Sequence, residues 1–425
     1  MILSVILPVI VILIVIVFLN CPIYIGILAA AVYLQVFINN MPLQNLFIGL
    51  FESLAKNSLL AVPFFIFAGT LIADSTLGNR LINFFIASLR NVKGGLPIAC
   101  LVANAFFGAI SGSASAATAT FSRIAYEPLE EYHGEKLSLG IITSSASLSS
   151  VIPPSITMII FGVATETSIA KLFMAGFLPG ILVVIIVGVY LIIRTSKTQA
   201  YSKDEIKVGG VKQTLIKGLP VLVLPIIVLG SVYGGITTPT ETGAIAAIYT
   251  LVVSVFVLRD LNLRKLFDCA KSTAKITAQV FLLVATSSVF AQAATITQLP
   301  TYILDSFVGL NTWQFLILLN ILLLIIGFFF DPSAAILVFA PMLFPVAMHL
   351  NIDPVHLGII FVLNLAIGMF TPPFGMNIFV AQSVLKKSTG AIAKACIPFV
   401  FLYILAIIMV SYIPQISLLL PTVLS

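Results

Sequence analysis

Long apolar stretches separated by short polar ones make up most of this chain. Residues 1–51 contain no Asp, Glu, Lys or Arg, and further charge-free runs cover 94–122, 137–165, 172–193, 276–304, 354–385 and 395–425. Each run meets or exceeds the roughly 20 apolar residues that cross a bilayer as a helix. The pattern predicts an all-α polytopic membrane protein with about eleven transmembrane helices. Composition agrees: 60% of the 425 residues are hydrophobic, 8% are charged and the mean hydropathy is +1.18. A water-soluble fold could not bury that much apolar surface. The first 19 residues lack a basic leader and their apolar run continues past Pro22 to Leu50, so a cleaved signal peptide is not expected.

Charge adds orientation. The net charge of +6 does not point to nucleic acid, because the basic residues lie between hydrophobic spans rather than on an exposed face. Of the 21 Lys and Arg, 17 fall in four clusters, at Arg80–Lys93, Arg194–Lys217, Arg259–Lys275 and Lys386–Lys394. The positive-inside rule places all four on the cytoplasmic side. The interval 276–385 has no Lys or Arg, and its acids are Asp305, Asp331 and Asp353. Cys21, Cys100, Cys269 and Cys396 stand alone and read as small apolar core residues, with no disulfide framework or zinc motif. His133, His349 and His356 fall at span ends and read as interfacial. There is no G-x-x-x-x-G-K-[ST] phosphate loop, and no His or Lys near Ser113 to activate it, so neither an ATP-driven pump nor an enzyme is expected.

Two halves of the chain resemble each other. Leu139-Gly140-Ile141-Ile142 and Ile152-Pro153-Pro154-Ser155 return as Leu357-Gly358-Ile359-Ile360 and Thr371-Pro372-Pro373-Phe374, displaced by 218 and then 219 residues. Ser115-Ala116-Ala117 matches Ser333-Ala334-Ala335, and Pro179 matches Pro398. The first half is flanked by Arg90, Lys93 and Lys136 and its Pro-Pro helix exits near Glu166, whereas the second exits at Lys386 and Lys387. The repeats therefore run in opposite directions, an architecture of secondary transporters that hold substrate and ions where the repeats meet.

Each half carries two helix breakers. Ser111-Gly112-Ser113-Ala114-Ser115 and Asp331-Pro332-Ser333 interrupt apolar stretches, predicting two re-entrant hairpins with tips at membrane depth. Ile152-Pro153-Pro154-Ser155 and Thr371-Pro372-Pro373-Phe374-Gly375 each remove two amide donors and free carbonyls one turn earlier. Freed carbonyls and Ser, Thr or Asp oxygens suit a sodium ion, and half-helix amino ends attract an anion. One cation is expected between Ser111–Ser115 and Ile152–Ser155, and another between Asp331–Ser333 and Thr371–Gly375. No other metal is expected. An acid at membrane depth is disfavoured by roughly 2.5–3.5 kcal/mol, and no Lys or Arg lies within 50 residues of Asp331. A bound cation would neutralise it; a helix cap before Pro332 is the competing reading. Arg123 and Glu127, spaced i to i+4, read as a local ion pair, with Arg123 as a substrate ligand the lesser alternative, and Glu241 reads as a buried acid capping a helix that starts at Thr240, with a proton carrier the alternative.

These residues resemble the large membrane subunit, the DctM type, of tripartite ATP-independent periplasmic (TRAP) transporters. The resemblance rests on Phe107-Gly108-Ala109-Ile110-Ser111-Gly112-Ser113-Ala114, Ile152-Pro153-Pro154-Ser155, Thr238-Pro239-Thr240-Glu241, Asp331-Pro332, Asp353-Pro354-Val355-His356-Leu357-Gly358 and Thr371-Pro372-Pro373-Phe374-Gly375, in the family's order. The chain departs from the family pattern over Ser122–Gly134. The resemblance implies an inverted-repeat, elevator-type importer of carboxylates (C4-dicarboxylates, sialic acids or sugar acids), coupled to Na+, in the bacterial inner membrane. It also implies a periplasmic substrate-binding protein (DctP-type) and a separate small four-helix subunit (DctQ-type). Mobile units are expected at 90–195 and 275–414, scaffold at 1–89 and 196–274, and a tail at 415–425. The alternative is a stand-alone sodium/anion symporter that needs no binding protein.

Overall fold

The computed structural model describes residues 2–19, 21–92, 94–195, 208–306, 309–372 and 375–424, which form helices and connecting turns with no strand among them. Nine helices among the described residues are long and apolar enough to cross a membrane. Shorter apolar helices accompany them, including Gly95–Ser111, Pro354–Gly368 and Met376–Leu385. These are one hairpin arm and the two halves of a broken helix.

The repeat holds element for element. Hairpin 1 comprises Gly95–Ser111 and Ala114–His133; hairpin 2 comprises Thr312–Phe329 and Pro332–His349. Broken helix 1 runs through Glu135–Ser145 and Leu148–Val151, breaks at the prolines and resumes over Ile156–Thr165. Broken helix 2 pairs Pro354–Gly368 with Met376–Leu385. Long helix 1, Ile169–Thr195, and long helix 2, Thr389–Tyr412, complete the two units. Long helix 2 has 24 residues and so spans about 36 Å. Beside its amino end, Lys387 pairs with Glu130 and Glu135 at the base of hairpin 1. At its carboxyl end, Tyr412 packs on Trp313 of hairpin 2 with ring centroids 4.3 Å apart, and the Ser411 carbonyl lies 3.3 Å from His356 Nε2. The two hairpin bases thus sit at opposite ends of one helix, as the charge flanks predict.

The units interlock. Ile156–Thr165 packs on the second arm of hairpin 2, and Met376–Leu385 packs on the second arm of hairpin 1. Matched glycines permit this closeness, since a side chain there would collide with the neighbouring helix. A Cβ at Gly140 would lie 2.5 Å from the Ala395 carbonyl of long helix 2, and one at its counterpart Gly358 would lie 2.6 Å from Leu172 of long helix 1. Within each unit the first hairpin arm touches the broken helix main chain to main chain, Gly108 on Ser149 and Gly327 on Gly368. Both members of the second pair stand 219 positions after those of the first.

Several expectations are corrected. Residues 415–424 are not a tail but a helix, Gln415–Leu424, packed on long helix 1. His356 is buried rather than interfacial, because Ser417 of that helix holds its Nδ1 at 2.7 Å. Glu241 does cap a helix, but the helix begins at Pro239 and the carboxylate is exposed, bonded to the Thr238 amide at 2.8 Å in a capping box. Cys21 is exposed, whereas the other three cysteines are buried. Arg123 and Glu127 are both exposed and unpaired with each other; the ion pairs among the described residues are Lys56–Glu166, Lys387–Glu130 and Lys387–Glu135. An exposed i to i+4 pair is worth only about 0.3–0.5 kcal/mol, too little to hold two long side chains together. The 274/275 division between scaffold and second mobile unit falls inside one continuous helix, Leu263–Ile296.

Candidate substrate and ion site

The hairpin tips are tight because each residue in them ends or starts a helix. Gly112 adopts φ +57°, closing Gly95–Ser111 in the left-handed conformation that glycine tolerates. Ser113 then caps the next helix, its Oγ accepting from the Ala116 amide at 3.3 Å. In hairpin 2 the same junction is made by Asp331, whose Oδ1 accepts from the Ser333 amide at 2.9 Å, with Pro332 at the first helical position. Asp331 is therefore a helix cap, and it also lines the cavity described below. Gly69 lets the Ser111 carbonyl approach the Ala61–Asp74 helix, to 2.7 Å from where a Cβ would stand.

The first Pro-Pro break supplies a local partner for one of its freed carbonyls. An amide at Pro154 would have bonded to the Ser150 carbonyl four residues back. That carbonyl instead accepts from Ser155 Oγ at 2.6 Å and Thr157 Oγ1 at 3.0 Å. The Pro153–Pro154 peptide is cis, and Ile152–Ser155 are buried. In the second break Thr371 Oγ1 donates to the Ile367 carbonyl at 2.7 Å, and the Asn377 amide donates to the Met369 carbonyl at 2.8 Å. Gly375 is buried and crowded by Met369 and Thr371 backbone, and Pro372 is exposed. Pro373 and Phe374 lie outside the described residues.

A cavity of about 460 Å³ lies where these pieces meet. Both tips line it, through Gly112–Ser115 and Asp331–Ala334, as do Ser150, Ile156 and Thr157 of the first break and Met369 and Met376 beside the second. Tyr24, Gln279 and their neighbours close the remaining wall. Of the expected site residues, Gly112, Ser113, Ser115, Asp331 and Ser333 line the cavity. Ser111 and Ile152–Ser155 pack behind the first tip, where the Pro154 carbonyl lies 3.5 Å from the Gly112 Cβ position. Thr371, Pro372 and Gly375 do not reach the lining. Ser150 and Thr157 were missed, although counting the carbonyls freed by Pro154 leads to Ser150. Tyr24 and Gln279 carry no local signal.

The polar donors of the cavity are hydroxyls, an amide and one carboxylate. Asp331 is its sole charged lining residue, and no cluster of three His, Cys, Asp or Glu exists among the described residues. Such a hard-oxygen set suits an alkali cation and not a thiolate or imidazole metal. Two hydroxyls rest on weak acceptors across the repeat boundary: Ser115 on Met376 Sδ at 3.3 Å and Ser150 on Met369 Sδ at 3.5 Å. Thioether acceptors are readily exchanged for a better partner.

On the side carrying the basic clusters, Lys387 Nζ lies 3.1 Å from both Glu130 and Glu135 and 5.6 Å from the Tyr126 ring centroid. The Tyr126 hydroxyl donates to Glu130 at 2.6 Å. That hydroxyl, with Lys387, holds the Glu130 carboxyl below its ordinary value, and burial with the Glu130 charge pushes the Tyr126 phenol up to about 12. Glu135, then Tyr126 and Glu130, raise Lys387 above its ordinary value. A depressed acid stabilises above its unfolded pKa and loses this as pH falls through the folded value; a raised base stabilises below its unfolded pKa and loses it as pH rises through the folded one. The latch should therefore be fully formed between about pH 4.5 and 10.5 and weaken outside that window. Thermal unfolding of Lys387→Met should show a small loss at neutral pH, since the groups are partly exposed, and a shallower decline below pH 4.5. Because the Tyr126 hydroxyl is the larger influence on Glu130, an acid limb as steep as the wild type's in Lys387→Met combined with Tyr126→Phe would exclude the latch.

The family model "Tripartite ATP-independent periplasmic transporter, DctM component" matches residues 10–416. The chain is 39% identical over 383 residues to the C4-dicarboxylate TRAP transporter large permease protein DctM of Pseudomonas aeruginosa, covering 89% of each chain. It is 35% identical over 408 residues to the isethionate TRAP transporter permease protein DctMQ of Oleidesulfovibrio alaskensis, covering 93% of this chain and 63% of that one. In fold it is similar to the YdaH transporter of Alcanivorax borkumensis, with a TM-score of 0.60 at 14% identity over 87% of this chain and 88% of that one. With a family model spanning nearly its whole length and large permeases among its relatives, the chain belongs to the DctM family, as the large permease subunit of a TRAP transporter and not an enzyme.

Proposed function

We propose that this subunit imports a carboxylate together with Na+ across the bacterial inner membrane, taking it from a periplasmic substrate-binding protein and working beside a small four-helix subunit. The relatives' names give C4-dicarboxylate and isethionate as their substrates; a C4-dicarboxylate, a sialic acid or a sugar acid is the class proposed here. One observation carries the reading: both tips converge on a cavity whose polar groups are hydroxyls, a phenol, an amide and one carboxylate, with no basic lining residue. Alone, that cavity repels an anion. At about 4 Å two like charges cost roughly 4 kcal/mol at an effective dielectric of 20, so a carboxylate settles only after cations neutralise Asp331 and add positive charge. Coupling follows, since each ligand binds the closed tips better when the other is present. The interlocked repeats would then move as one body past the scaffold, in the manner of an elevator.

Uptake of labelled carboxylates into proteoliposomes containing both membrane subunits tests this, with the binding protein and an inward sodium gradient each present or absent. Uptake requiring both is the expected result. Uptake without the binding protein would make the subunit a conventional symporter, and uptake indifferent to sodium would remove the coupling.

A further inference from the structure

A second cavity, of about 520 Å³, lies at the opposite end of long helix 1 from its Ile169 start. Its ionic lining is basic, His133 and Lys136 from the junction of hairpin 1 and broken helix 1 and Arg194 from the end of long helix 1, with the neutral Tyr132 and Thr195 beside them. No acid lines it. Neither Lys136 nor Arg194 has an acidic partner within 4 Å among the described residues, and the nearby Glu130 and Glu135 are taken by Lys387. The remaining wall is apolar, formed by Leu137, Tyr190 and Phe399, the last two in edge-to-face contact at 5.7 Å.

The level of the cavity follows from its neighbours. Ile192 and Ile193, immediately before Arg194, are 50% and 70% exposed, and Ile397 and Phe401 on long helix 2 are 46% and 67% exposed. Exposed apolar side chains in a membrane protein face acyl chains, and the next basic residues along each helix mark the headgroup layer. Arg194 belongs to a cluster assigned to the cytoplasmic side, and Lys387, from another such cluster, pairs with Glu135 immediately before Lys136. Burial holds the His133 imidazole below its ordinary value, so Lys136 and Arg194 supply the fixed charge.

We propose that this cavity binds the phosphodiester of an anionic phospholipid from the cytoplasmic leaflet, with Lys136 and Arg194 as its ligands and the Tyr190–Phe399 wall along the upper acyl chain. A soluble phosphate shares the headgroup chemistry, but it would have no use for the apolar side chains of Leu137, Tyr190 and Pro398 in the lining. The bound lipid would touch elements of both repeats and join them at their cytoplasmic end.

Native mass spectrometry of the purified protein, reloaded with phosphatidylglycerol or with phosphatidylethanolamine, tests the site. The wild type and a control pair, Lys265→Gln with Lys271→Gln, should retain phosphatidylglycerol, and phosphatidylethanolamine should be lost. Lys136→Gln with Arg194→Gln should lower phosphatidylglycerol retention by about tenfold, and Arg194→Lys should keep most of it. Equal retention in the site pair and wild type, an equal drop in the control pair, or equal retention of the two lipids would overturn the proposal. So would displacement of phosphatidylglycerol by excess inorganic phosphate, which would identify the ligand as a soluble anion.

Discussion

Gly368→Ala should abolish accumulation of folded protein, a large effect for a single methyl group. The added Cβ would lie 2.2 Å from the Gly327 carbonyl oxygen and 2.4 Å from its carbon, both main-chain atoms within the Thr312–Phe329 helix. Neither side can yield by rotating a side chain, so the hairpin arm must leave the broken helix. Overpacking of this kind costs about 3 kcal/mol or more. The reciprocal change is the control. A Cβ at Gly327 meets its nearest neighbour at 3.3 Å, the Gly368 Cα. Alanine there regains roughly 0.5–1 kcal/mol of helix propensity, so Gly327→Ala should fold close to normally. Thermal unfolding in detergent separates the two; equal stability would mean that the main-chain contact is looser than described.

Asp331→Asn should leave the fold intact and weaken cation activation of transport. Asparagine caps a helix as well as aspartate, so the bond to the Ser333 amide survives. The cavity, however, loses its only charged lining residue. On the proposed coupling, half-activation by sodium should move upward by about tenfold, corresponding to about 1.4 kcal/mol of binding, with unfolding temperature nearly unchanged. Asp331→Ala should add a stability loss of about 1 kcal/mol from the missing cap. Cation activation in Asp331→Asn indistinguishable from wild type would leave the carboxylate as a cap and nothing more.

Much of the architecture is legible in the sequence because helices are interrupted by residues with few alternatives. Pro153-Pro154 and Ser111-Gly112-Ser113 announce their breaks by what proline and glycine cannot or can do, and their recurrence discloses the repeat. Charge flanks disclose its inversion. Long-range partners stay hidden: nothing local marks Gln279 or Tyr24 as cavity walls, or Ser149 as the neighbour of Gly108. Isolated polar residues are the hardest to place. His356 reads as interfacial until the Gln415–Leu424 helix covers it, and Glu241 reads as buried although its capping box leaves the carboxylate exposed. The position of His356 was set by packing that no short window of sequence contains, whereas that of Glu241 follows from a capping box contained in four residues.

The interlocking of the repeats also bears on how the protein is made. The second arm of hairpin 1 packs on Met376–Leu385, a helix synthesised more than 240 residues later. At 5–20 residues per second, the growing chain would hold that arm without its partner for roughly 12–50 s. During that interval the first half is an unfinished surface in the bilayer, its close-packing glycines facing lipid. Quality control at the membrane thus has a long window in which to intercept this subunit, and a chain stopped between the repeats would be recognised by an uncovered hairpin rather than by any misfolded one.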